Sequence, residues 1–347
     1  MRPIGKRLTF ALLTTLALVA VCLAATGRIE DKDCPVCSST LSVTLLYSSN
    51  NAGGADPDFM ERCGGGYPLI VEPIFCEECR FACWSAEMLE KPVPERLKQA
   101  LLSENPPFQV PEYQPILPNG PLRLSFTEGL DSEQATPAWV RYDLIEQQLV
   151  YLDETAWLKF QAAQKAVWAV RLRENPLQEF LYDLSREDIA AVVEGVDIPT
   201  GGDNPAGDQI ALARALVEKG VSTRPQAIVA AFLLRSHGEL GDLESALPAL
   251  MEVIDEPDLE KSVNDSIELE RRYLVRALGH TEELIENLPE KVDLGTLRYV
   301  RGELFRRLGR PGEAFLEYKM AREQGVPDWL EDWLESQTKM CEPVEVR

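Results

Sequence analysis

Four of the chain's eight cysteines fall in two Cys-x-x-Cys pairs, Cys34-Pro35-Val36-Cys37 and Cys76-Glu77-Glu78-Cys79. Two thiolates from one tight turn and two from another are what a tetrahedral zinc ion takes, because it needs soft, deprotonated ligands at fixed angles. Other chemistry is open to the same pairs. An oxidising compartment favours disulfides within or between them. A thioredoxin-like redox pair at Cys34 and Cys37 would open a helix, whereas strand-like sequence follows here. Incidental thiols are the remaining reading. Cys63 and Cys83 are extra to the four; either could replace a ligand or pair with the other, and both read as buried or disulfide-linked residues, while Cys341 reads as inert. Asp56 and Asp58, in a loop rich in glycine and asparagine, either offer oxygen ligands to calcium or are ordinary turn residues.

Little else in the chain points to catalysis. The only histidines, His237 and His280, lie in helical sequence, where His237 takes an inward-facing aromatic position and reads as core or groove lining. There is no His-Glu-x-x-His, no Gly-x-Ser-x-Gly elbow and no phosphate loop ending in Gly-Lys-Ser/Thr; Gly64-Gly65-Gly66 has no lysine and reads as a loop. A net charge of −22 over 347 residues, with no basic patch, repels polyphosphate and anionic headgroups and speaks against nucleic-acid binding.

Residues 1–25 have the layout of a signal peptide or N-terminal anchor. Arg2, Lys6 and Arg7 precede an uncharged apolar run from Leu8 to Ala25, which ends in small residues suited to cleavage. Uncleaved, that run just reaches membrane-spanning length. Cys22 raises lipidation, but Val21 stands before it where a small residue is usual. Cleavage after Ala24 or Ala25 leaves an odd number of cysteines, so they cannot all pair within one chain. Four thiolates on zinc with three cysteines over, or three disulfides with one free thiol, both fit.

The elements that must position the cysteines come next. Residues 28–90 form a cysteine-rich head. Leu41 to Tyr47 reads as one strand and Tyr67 to Phe75 as a second, each touching a Cys-x-x-Cys turn, with a Gly/Asn-rich loop over 50–66 between them. Residues 91–137 are proline-rich and read as a linker with a short helix near Glu95 to Leu102. Helical pattern fills 138–340. Thr136-Pro137 reads as a cap with proline at the first helical position, opening a helix toward Tyr151. Further helices are predicted from Glu154 to Arg173, halted by Asn175-Pro176, and from Gln209 to Lys219, stopped at Gly220. The tail repeats. Gly302, Phe305, Leu308-Gly309, Ala314, Tyr318 and Ala321 follow the tetratricopeptide pattern of two helices meeting at small residues. Leu240-Gly241, Ala246, Leu250 and Val253 repeat it, Leu278-Gly279 with Leu284 and Leu288 is a looser copy, and Ala156, Phe160 and Ala163 form a more distant one. Trp329 and Trp333 make an apolar stripe that reads as a capping helix.

The head resembles an uncharacterised bacterial domain-of-unknown-function family that pairs a zinc-ribbon-like head with tetratricopeptide-like helices. The shared positions are Cys34-Pro35-Val36-Cys37, Asp56-Pro57-Asp58, Pro68 and Cys76-Glu77-Glu78-Cys79-Arg80-Phe81-Ala82, with Arg80 standing where the family has glycine. The resemblance covers about residues 33–90 and, more loosely, the helical tail. It implies an architecture and a metal, and no reaction. The expectation is therefore a mainly α protein, with a small zinc-ribbon-like β head holding zinc on Cys34, Cys37, Cys76 and Cys79, followed by tetratricopeptide-like repeats. It would be exported to the cell envelope or beyond, non-enzymatic, and would bind a protein or peptide in its helical groove, touching a membrane only through an uncleaved leader. The alternative is an envelope thiol-redox or metal-handling protein.

Overall fold

A computed structural model describes residues 26–48, 54–62, 68–113, 136–194, 196 and 205–343. The leader with Cys22, Cys63, and most of the 199–207 loop lie outside the described residues. The fold is mainly α with a small β head. Two antiparallel strands, β1 (Thr26–Asp33) and β2 (Thr40–Ser48), form the first hairpin. A one-turn helix α1 (Pro68–Val71) leads into the second, β3 (Ile74–Phe75) and β4 (Ala82–Cys83). A 3-10 turn (Ala86–Glu90) and α2 (Glu95–Leu101) follow, the latter where the sequence predicts a helix. The body comprises α3 (Ala138–Leu152), α4 (Ala156–Arg173), α5 (Leu177–Tyr182), α6 (Arg186–Val193), α7 (Pro205–Lys219), α8 (Arg224–Ser236), α9 (Leu240–Ile254), α10 (Leu259–Glu286), α11 (Leu294–Arg307), α12 (Pro311–Gln324) and α13 (Asp328–Cys341). Among the described residues no helix is long and apolar enough to cross a membrane.

Four expectations change in detail. The 41–47 strand is present and pairs with the chain just before Cys34. Of the 67–75 segment, 68–71 is helix α1 and only 74–75 is strand, because a buried arginine on α3, Arg141, donates to the carbonyls of Ile70 and Pro73 that a strand neighbour would otherwise take. Thr136 does not cap α3: Pro137 occupies that position with no side-chain hydrogen bond, and the Thr136 hydroxyl instead donates to Glu77 (3.4 Å). The Leu278-Gly279 copy is not a turn but the interior of the unbroken helix α10. One mid-helix glycine costs only about 1 kcal/mol, which the apolar face of α10 offsets by packing along α4. Finally, α8 and α9 do form a hairpin, but its left-handed turn glycine is Gly238, at φ +66°, three residues before Gly241. Positions three apart share a helix face, so the small-and-large pattern fits either register.

The α11–α12 hairpin shows why a small residue is needed. A Cβ at Gly302 would lie 2.4 Å from the Tyr318 ring, whose hydroxyl donates to buried Glu303 at 2.6 Å. At Gly279 an added Cβ meets nothing within 4 Å. Gly302→Ala is therefore expected to lower unfolding free energy by about 1–3 kcal/mol. Gly279→Ala is expected to raise it by about 1 kcal/mol. Urea titrations that moved both variants in the same direction would refute the close-approach account.

Candidate metal centre

Each Cys-x-x-Cys pair sits at the turn of one hairpin, and the two turns are built alike. In the first, Cys34 N–H donates to Ser39 O (2.8 Å) and Ser38 N–H to Cys34 O (2.9 Å). In the second, Cys76 N–H donates to Phe81 O and Arg80 N–H to Cys76 O, both at 2.8 Å. Both turns need a left-handed residue after the second cysteine, supplied by Ser38 (φ 64°) and Arg80 (φ 63°). Arg80 thus adopts the conformation that glycine would take at no steric cost, at an expense of about 1 kcal/mol. Its surroundings hold it there: its guanidinium donates to Phe108 O (2.8 Å) and its carbonyl accepts from Gln148 on α3 (2.8 Å).

The four sulfurs of Cys34, Cys37, Cys76 and Cys79 all lie within 4.8 Å of one another. Cys34 faces Cys79 at 3.6 Å and Cys37 faces Cys76 at 3.5 Å, so close contacts run between the knuckles. A tetrahedral ion with metal–sulfur bonds of about 2.3 Å sets its sulfurs about 3.8 Å apart, close to this spacing. Cys34, Cys76 and Cys79 are buried and Cys37 is half-buried; all are free thiols. Without a cation they must share protons. Hydrogen bonds from Cys34, Cys79 and Ser39 hold the Cys76 thiol far below the ordinary range. The hydrogen bond to Cys76 pushes Cys34 up to about 11. Hydrogen bonds to Cys34 and Cys76 raise Cys79. The Ser39 hydroxyl lies 3.1 Å from both Cys37 and Cys76, placed to donate to thiolates carrying negative charge. The sequence singled out all four cysteines but not Ser39.

Among the described residues, Cys83 and Cys341 take no part in this cluster. Cys83, on β4, is pushed up to about 12 by burial, and Cys341 up to about 11 for the same reason. His280 is half-buried and contacts Glu146 at 2.8 Å.

Asp56 and Asp58 are not surface turn residues, and among the described residues they belong to no cluster of potential metal ligands. The segment 54–62 folds back on itself, with Ala55 bridged to Glu61, Asp56 N–H on Met60 O and Phe59 N–H on Asp56 O. It drives both carboxylates into the helical body. Asp58 meets Arg171 of α4 (2.9 Å) and Arg307 of α11 (3.3 Å), and accepts from Trp168 Nε1 (3.2 Å). Asp56 meets Arg62 (2.5 Å) and Arg171 (3.4 Å). Arg171 also grips Glu270 of α10 (2.9 Å), which is shared with Arg235. Gly238 makes this possible: a Cβ there would lie 2.3 Å from Arg307 and 2.6 Å from Arg171. Burial by itself would raise the Asp56 carboxyl, but Arg62, His237 and Arg171 hold it far below the usual range. Asp58 is likewise lowered, by Arg171 and Arg307 against its burial. His237 is buried as expected, yet its role is polar. Burial pushes its pKa down, and its ring nitrogens face Asp56 Oδ1 (Nδ1, 2.7 Å) and Gln209 Oε1 (Nε2, 2.9 Å).

These shifts fix the sign of a pH dependence. Depressed carboxylates stabilise the fold above their ordinary pKa near 4 and lose that contribution as pH falls. A depressed histidine favours the native state when neutral, and that contribution is lost as pH falls through about 6.5. Stability is therefore expected to be level near neutrality and to decline from about pH 6 downward. Urea titrations of the wild type and Asp56→Asn should show a shallower decline below about pH 5 in the variant; parallel curves would contradict the assignment.

The chain matches no protein-family model, no curated protein and no solved structure.

Proposed function

We propose that this is a non-enzymatic, exported binding or scaffold protein with a structural zinc ion on Cys34, Cys37, Cys76 and Cys79. Its tetratricopeptide-like helices would present a groove to a protein or peptide partner. The observation that carries the zinc reading is the convergence of two matching knuckles on one set of four sulfurs, all within 4.8 Å of one another. Four protein ligands leave no open position for substrate, as befits a structural ion. The thiol-redox alternative is less well supported. A dithiol catalyst presents an accessible cysteine at a helix start, whereas Cys34 and Cys76 are 2% and 0% exposed and lie in hairpin turns. The resemblance of the head to the zinc-ribbon-like family, and the leader-like residues 1–25, support the metal and the export.

Metal analysis with a thiol count on purified protein tests this. One zinc per chain, with four thiols that react only after chelation, is the expected result. Metal-free protein with Cys34 bonded to Cys37 would replace the scaffold by the redox reading.

A further inference from the structure

Side chains of α4 (Trp168, Arg171), α11 (Tyr299, Arg307) and α13 (Trp329, Trp333) close on the chain's own Asp56-Pro57-Asp58-Phe59-Met60 segment. We propose that this segment is an internal ligand of the helical groove, and that the groove recognises partner peptides of the same chemistry: two acidic residues one apart, followed by an aromatic. The proposal deepens the scaffold reading and rests on it.

The contacts have the pattern of peptide recognition. Arg171 and Arg307 take the Asp58 carboxylate, while Trp168 and Tyr299 donate to Asp58 Oδ2 (3.2 Å) and Pro57 O (2.9 Å). Phe59 fits an aromatic clamp, with ring centroids 5.5 Å from Tyr299, 5.4 Å from Trp329 and 5.8 Å from Trp333. Charge complementarity, backbone capture and an aromatic anchor thus coincide on five residues.

Two features mark the segment as displaceable. Phe59 is held at φ +67°, a left-handed conformation that a bulky side chain rarely adopts. Trp329 remains 62% exposed, so the clamp is open to solvent on one side. The sequence order adds control. Cys37 and Cys76, 39 positions apart, flank the segment, so a shared metal ties down both ends of the excursion and favours docking in cis. Metal loss would raise the fraction of molecules with an open groove.

The test uses the full-length, metal-loaded protein and a fluorescein-labelled peptide with the sequence of residues 54–62, followed by anisotropy. Phe59→Ala, which weakens the internal ligand and leaves the groove intact, is expected to bind the peptide at least about tenfold more tightly than wild type. Replacing both peptide aspartates by asparagine is expected to remove that gain. A folded Phe59→Ala protein with wild-type peptide affinity would overturn the proposal. Hydrogen exchange on the wild type needs no variant and decides the matter should Phe59→Ala fail to fold. The amides of Asp56, Phe59 and Arg62 are expected to exchange at least about 100-fold faster than those of α11, through local opening, and faster again after chelation. Exchange of these amides only with global unfolding would make the segment fixed core and end the proposal. In that event the zinc count and thiol protection would still stand, so the two readings fail separately.

Discussion

Chelating an ion from the proposed four-cysteine site is expected to lower the melting temperature by about 10 °C or more and to unfold the head before the helices. The head has few apolar residues to hold it: β3 and β4 are two residues each, and its buried apolar side chains are few, with Val36, Val43, Ile70, Ile74 and Phe81 prominent. So small a core does not fold alone without a staple. A structural tetrathiolate ion contributes on the order of 10 kcal/mol, enough to decide whether the two hairpins stay together. Its removal would leave Cys34, Cys76 and Cys79 buried beside half-buried Cys37 with no cation to hold them together. Cys76→Ser is expected to abolish metal binding and to melt like the chelated protein. Cys83→Ser, which touches a buried thiol outside the quartet, should keep its metal. Calorimetry with metal analysis on the three proteins checks this. Metal-free protein melting within 2 °C of the loaded form would show that the sulfurs are not a staple.

Arg171→Met is expected to cost about 3–5 kcal/mol, although no surface contact is lost. The guanidinium stands fully buried among Asp56, Asp58 and Glu270, and removing it leaves three carboxylates to share Arg62, Arg235 and Arg307. A buried ion pair adds modest net stability while intact, yet losing one partner strands the other without water. Compensation should follow the same logic: Arg171→Met combined with Asp58→Asn is expected to recover a substantial part of the loss, so that the two changes are far from additive. Urea denaturation of the four proteins in that cycle measures it. Simple additivity would mean that Arg171 acts by packing alone. Below about pH 4 the gap between Arg171→Met and wild type should narrow, because protonated aspartates no longer need a cation.

The cysteine pairs could be read before any fold was known, since a knuckle is a local object: four residues, one turn, two backbone hydrogen bonds. Helix limits were legible for the same reason. The helix predicted over 154–173 runs from Ala156 to Arg173, and Gly220 ends α7 at φ +83°. Even Arg80, which breaks the expected glycine, keeps the turn because its neighbours bind it. What the chain did not disclose is where its charges go. Asp56 and Asp58 read as turn residues or calcium ligands, and nothing singled out Arg171, because pattern along the chain reports neighbours three or four positions away. Their partnership spans 115 positions and exists only where α4, α8 and α11 converge. Tertiary packing decided that these charges are buried, that Gly238 rather than Gly241 turns the α8–α9 hairpin, and that a loop of the head packs against α4, α11 and α13. Local sequence sets backbone conformation through short-range sterics and hydrogen bonds, whereas the burial of a charge is settled by groups that only the folded chain brings within reach.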